Sequence, residues 1–110
     1  MKAKFEELLN KLKESNLFQR SYDWIEDVPL DIYNEYLKDN YKEVATELDV
    51  DKHRWYETSI VVIEIFGQYI GIRRISNMYS EMGDLDDICW SYKFLKMEQI
   101  QTVSYKIEQP

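Results

Sequence analysis

Disulfide chemistry is closed to this chain: Cys89 is its only cysteine, so no intramolecular bridge can form, and a reducing cytoplasm is the expected setting. Three glycines and two prolines leave little room for linkers, and no repeat or low-complexity tract occurs, so residues 1–110 are expected to form one domain. Long apolar runs are missing as well. The opening Met1-Lys2-Ala3-Lys4-Phe5-Glu6-Glu7 lacks a signal-peptide core, and no window could span a bilayer, so no membrane contact is expected. One histidine, His53, and one cysteine fall short of the three or four nitrogen and sulfur ligands that zinc usually takes. Ser59, Ser76 and Ser80 have no GxSxG setting, and no glycine-rich phosphate cradle is present. No cofactor is therefore expected. Positive charge is scarce too. Fourteen Lys and Arg against twenty-one Asp and Glu give a net charge of −7, which argues against direct nucleic-acid binding and toward a basic protein partner.

What the chain does have is acid at a fixed interval. Asp23, Asp27, Asp31, Glu35, Asp39, Glu43, Glu47 and Asp51 place a carboxylate at every fourth residue. Between Tyr22 and Asp51 ten acids meet two bases, Lys38 and Lys42; that segment is net −8, and the other eighty residues are left at +1. Asp27 suits an N-cap and Pro29 a first helical turn. Leu30, Tyr33, Leu37, Tyr41, Val44 and Leu48 fall within an arc of about 80°, which predicts one helix from about Pro29 to Leu48, with Asp39-Asn40 as its weak point. On that helix the carboxylates from Asp31 to Glu47 would form a spiral about 24 Å long, facing away from the core. Duplex phosphates follow one another at a comparable spacing, about 3.4 Å of rise per nucleotide. The like-charge pairs cost roughly 1–2 kcal/mol in total. The plain account is a solvated face; the functional one is an electrostatic contact. Ile32 and Tyr36 fall among the acids on the same wheel, as exposed interface anchors or as residues covered by the connector or a sheet edge.

Phe5, Leu8, Leu9 and Leu12 recur at helical spacing and predict an amphipathic helix over residues 3–15. Leu17 to Glu26 reads as a connector too apolar to hang in solvent. From His53 the period changes. Trp55–Phe66 and Tyr69–Ser76 read as strands joined at Gly67-Gln68; Trp90–Met97 and Ile100–Ile107 read as two more, joined near Glu98-Gln99. The expected class is α+β, with two N-terminal helices packed on a roughly four-stranded antiparallel sheet of undefined order. Arg73 and Arg74 should point to opposite faces of that sheet, one of them pairing with Glu64 or Glu57.

Several clusters carry chemistry in principle. His53 with Glu57 or Asp51 could form a general base, and His53, Glu57, Glu81 and Asp87 together a small metal-dependent enzyme site. Glu81, Asp84, Asp86 and Asp87 could collect calcium or magnesium, although Gly83 precedes the acids and the twelfth position from Asp84 is Leu95, which is not EF-hand spacing. A solvated acidic loop explains them as well. Cys89, between Ile88 and Trp90, reads first as a small buried residue.

The strings His53-Arg54-Trp55-Tyr56-Glu57-Thr58-Ser59, Ser76-Asn77-Met78-Tyr79-Ser80-Glu81 and Thr102-Val103-Ser104-Tyr105, with Gly71, Asp87-Ile88, Phe94 and Met97-Glu98, resemble an uncharacterised family of small phage and mobile-element proteins. The resemblance covers residues 53–107 and brings no catalytic residue with it. It implies a mobile-element setting, in which small acidic proteins inhibit host defence nucleases, CRISPR effectors among them. The expected function is thus non-enzymatic: an acidic protein that occupies a basic nucleic-acid-binding groove on a host protein. Its expected contact residues are Asp27, Asp31, Ile32, Glu35, Tyr36, Asp39, Glu43 and Glu47, with Glu81, Asp84, Asp86 and Asp87 assisting. A self-associating accessory phage protein, forming a homo-oligomer through a sheet edge, is the other non-enzymatic expectation.

Overall fold

The most apolar stretch of the chain becomes the centre of a sheet. Residues 2–79, 90–101 and 104–108 are described by a computed structural model. Tyr56–Ile65 is strand β2, and it is buried on both faces, which is why its sequence runs apolar without alternating. Ile60 and Val62 face one side; Val61, Ile63 and Ile65 face the other. Phe66 and Gly67, both at positive φ (52° and 77°), form the two-residue turn into β3 (Gln68–Met78), the geometry of a tight antiparallel hairpin. With β1 (Lys42–Lys52), β4 (Lys93–Gln101) and β5 (Ser104–Ile107) the strands make a five-stranded antiparallel meander in the order β1-β2-β3-β4-β5.

Helical segments cover one face of this sheet. Helix α1 (Lys2–Glu14) buries Phe5, Leu8, Leu9 and Leu12 in one cluster with Val61, Ile63, Ile65, Ile70, Ile72 and Phe94. The short α2 (Trp24–Asp27) adds Trp24, and α3 (Leu30–Ile32) runs directly into a π-helical turn, Tyr33–Leu37, closed by the Lys38 N–H donating to the Tyr33 carbonyl. The connector is tied down as expected, although Phe18 and Tyr22, two of its apolar residues, are half exposed. Leu17 and Gln19 exchange backbone hydrogen bonds with Tyr92 and Trp90. The Gln19 side chain then accepts from the Ile75 N–H at 2.8 Å and donates to the Ile75 carbonyl at 2.9 Å. It thereby extends the ladder on β3 past Arg73, where pairing with β4 ends.

The fold is α+β, as the sequence predicts, with two corrections. The sheet has five strands, because the predicted helix from Pro29 to Leu48 does not exist as such. Helical structure stops at Leu37; Lys38–Asn40 form a turn with Asp39 at φ 61°; and residues 42–52 are β1. From Glu43 to Asp51 most acids alternate with non-acidic residues, the two-residue period of a strand, although β1 is bulged and its burial does not alternate. Among the described residues the α-helices are accordingly one long segment and two short ones. The join between the last two strands also moves: β4 continues to Gln101, which pairs with Ser104.

The face away from the helices is concave. Four strand positions would separate β1 from β5 by about 19 Å in a flat sheet. Here Leu48 and Asp49 of β1 and Tyr105 to Glu108, from β5 and the residue beyond it, line one groove of about 610 Å³. The sheet curls to bring them there, and β-bulges help: the β1–β2 register shifts three times between Glu43 and Asp51.

Candidate functional site

The acids do not form a spiral. Asp31 and Glu35 lie exposed on α3 and the π turn, Asp39 at the tip of the following turn, and Glu47 on β1. Asp31, Glu35, Asp39 and Glu47 have no cationic partner among the described residues. Others are engaged internally. The Asp27 carboxylate accepts from the backbone N–H groups of Arg20 and Ser21, each at 3.0 Å, and from the Tyr92 hydroxyl at 2.6 Å. Asp27 is therefore the end of α2 and a clamp on the connector, not the N-cap of a long helix. Burial and the bond to Asp27 push the Tyr92 hydroxyl far above the usual tyrosine range. Glu43 accepts the Trp24 indole N–H at 3.0 Å.

Two of the predicted interface anchors are core. Ile32 is 7% exposed and Tyr36 1%, and the Tyr36 hydroxyl donates to Glu7 of α1 at 3.3 Å. Leu30, expected in the core stripe, is 71% exposed. The π turn and the early end of the helix change which side faces the sheet, so a wheel drawn through Leu48 assigns these three residues the wrong way round. Glu81, Asp84, Asp86 and Asp87, like Cys89, lie outside the described residues.

The arginine pair behaves as its spacing predicts, but with other partners. Arg73 on the concave face reaches over Thr58 (3.1 Å) to the carboxylate and carbonyl of Asp49; Arg74 on the helix-covered face donates to the Thr46 carbonyl at 3.1 Å. The two arginines thus grip the bulged β1 from both sides. Glu64 and Glu57, their expected partners, instead accept from Tyr69 and Tyr79.

His53 sits where β1 turns into β2. Its Nε2 lies 3.3 Å from Asp51, and its ring stacks on Tyr56 at 4.4 Å. Of the two carboxylates considered for it, Asp51 is the neighbour. Among the described residues no three His, Cys, Asp or Glu side chains come together as a metal cluster would require. Among those residues, too, no helix is long and apolar enough to cross a membrane.

The concave groove is the feature that sequence reasoning missed. Its floor is Leu48, Ile60 and Met97, and Tyr105 and Ile107 form the β5 wall. Gly71 makes the floor possible: a Cβ there would stand 2.7 Å from the Met97 sulfur and 3.0 Å from Ile60 Cγ2. Gly71 inside a strand was the available signal, since a strand-interior glycine often marks a close approach. In size the groove falls in the range of preformed ligand sites, and its lining is mixed, five apolar residues and four charged ones.

In class, then, this is an α+β protein with a curled antiparallel meander, helices on the outer face and a groove on the inner one. Compared with models of protein families, with curated proteins and with solved structures, the chain gives no match.

Proposed function

We propose that this is a non-enzymatic binding protein of a phage or mobile element that holds a basic surface of a host protein, the nucleic-acid groove of a defence nuclease such as a CRISPR effector being the candidate target. The observation that carries it is the −8 segment between Tyr22 and Asp51, whose carboxylates at Asp31, Glu35, Asp39 and Glu47 stand exposed with no cation beside them among the described residues. Such a field raises association rates with a cationic partner and fixes its orientation. The contact no longer depends on phosphate spacing, because the acids lie on a helical turn, a loop tip and an edge strand instead of one spiral. Glu43 and Asp27 leave the contact set, since both hold the protein's own groups. Ile32 and Tyr36 leave it because they are buried.

The test is binding to purified candidate nucleases at low and high salt, with the variant Glu35→Lys/Asp39→Lys/Glu47→Lys beside the native chain. Affinity should fall with salt and be lost in the variant. Undiminished binding by the triple variant would remove the acids from the mechanism.

A further inference from the structure

We propose that the groove between β1 and β5 receives an extended segment of the basic partner, alternating apolar and basic residues, which adds to the open edge of β5 as a sixth strand. This rests on the reading of the partner as basic and names the piece of it that is bound.

The hydrogen-bond phase of β5 supplies the first argument. The Glu108 N–H donates to the Lys96 carbonyl at 3.0 Å, and Lys106 and Ile107 stand opposite Glu98 and Met97. In an antiparallel pair the bonded residues alternate, so Lys106 and Glu108 turn their backbone groups toward β4. Those of Tyr105 and Ile107 point off the sheet, with no backbone partner among the described residues. A groove lying only on a sheet face would be lined by every second residue. This one is lined by four in succession, Tyr105 to Glu108, so it runs along the strand's open edge.

Alternation then sets the side chains of the incoming strand. One set faces Ile60, Met97 and the 38%-exposed Ile107, and must be apolar. The other set faces the side of Glu98, Lys106 and Glu108. The three acids on the groove lining are each matched by one cation, Asp49 by Arg73, Glu98 by Lys106 and Glu108 by Lys96, so the lining itself is neutral. The call for basic residues comes from the chain's net charge of −7, which also disfavours a second copy bringing a further −7.

The probe is a capped six-residue peptide alternating valine and lysine. Its controls are the same peptide N-methylated on alternate amides, the same composition in blocked order, and poly-lysine, all at low salt. Strand addition should slow amide exchange at Tyr105 and Ile107 and be lost on N-methylation. Ile107→Pro deletes an outward-pointing N–H, at the place where a strand tolerates proline, and trims the Ile107 side chain from the groove wall. It should weaken binding about tenfold, while Ile107→Val should not. If that variant is misfolded, the N-methylated peptide puts the same question to the native chain. Equal binding of the blocked peptide or poly-lysine, or of the N-methylated peptide, overturns strand addition and leaves the acidic-contact reading standing. Protection of Tyr105 and Ile107 without peptide, in a dimer, makes a second copy the occupant and overturns it as well. Failure of every basic probe, poly-lysine included, counts against both readings.

Discussion

Gln19 shows how much one side chain can hold. It is buried, and its amide takes the place of a missing strand by bonding both backbone groups of Ile75. Gln19→Ala strips both partners from a buried peptide group, so urea unfolding should show a loss of about 2–4 kcal/mol. Gln19→Glu keeps an acceptor for the Ile75 N–H but sets a carboxylate against the Ile75 carbonyl; its deficit should shrink as the pH falls and the carboxyl protonates. The tyrosines make a second residue-scale prediction. Tyr36, Tyr41, Tyr69, Tyr79 and Tyr92 are all held above the ordinary value of 10.0, by burial first in four of them and by the bond to Glu57 first in Tyr79. The unfolded chain gives up these protons near pH 10 while the folded chain keeps them. Their contribution is therefore complete below about pH 10 and declines as the pH rises further. Stability measured from about pH 8 to pH 11 should drop steeply at the alkaline end, and less steeply for Tyr92→Phe.

At the scale of elements, what was legible depended on which period a pattern could hide. Phe5, Leu8, Leu9 and Leu12 fit only a helix, and α1 lies within a residue of its expected ends. The β2–β3 hairpin was equally plain from its β-branched runs and Gly67. The acid ladder was ambiguous for a simple reason: four is close to a helical turn, but it is also an even number. Glu43, Glu47 and Asp51 share a helix face or a strand face equally well, and so do Val44 and Leu48. The intervening residues held the answer, since the Glu47-Leu48-Asp49-Val50-Asp51 run alternates. The groove was harder to foresee, because it depends on curl, and curl depends on bulges that no local pattern announces. Strand β1 shows the consequence. Its bulged ladder to β2 is supplemented by Arg73 and Arg74 gripping Asp49 and Thr46 from opposite faces. Arg73→Ala/Arg74→Ala should loosen β1 alone. Amide exchange would accelerate across residues 42–52 while the protection of β2, β3 and β4 stays near native. Uniform acceleration across all strands would mean that the arginines support the whole sheet.

For the whole molecule, the charge is concentrated in one stretch of the chain. Residues 22–51 hold −8, leaving +1 for the rest, and the acids at Asp31, Glu35, Asp39 and Glu47 repel one another across neighbouring turns and the edge strand. Salt should therefore act in opposite directions on two properties of the same protein. As the screening length shrinks from about 30 Å at 0.01 M to about 3 Å at 1 M, self-repulsion weakens and the unbound fold should become more stable. Over the same range attraction to the proposed cationic partner should weaken, and affinity should fall. Reversing Glu35, Asp39 and Glu47 to Lys takes the net charge from −7 to −1 and should flatten both dependences together. Chemical unfolding and binding, each followed across that salt range for the native chain and the variant, make the comparison. If affinity falls with salt while stability does not rise, the acids are far enough apart to be tolerated without strain, and their spacing carries no stability cost that function would need to explain. If both respond and both flatten in the variant, the fold keeps this repulsion at a measurable expense. The partner that relieves it is then one that brings positive charge to the β1 side of the molecule.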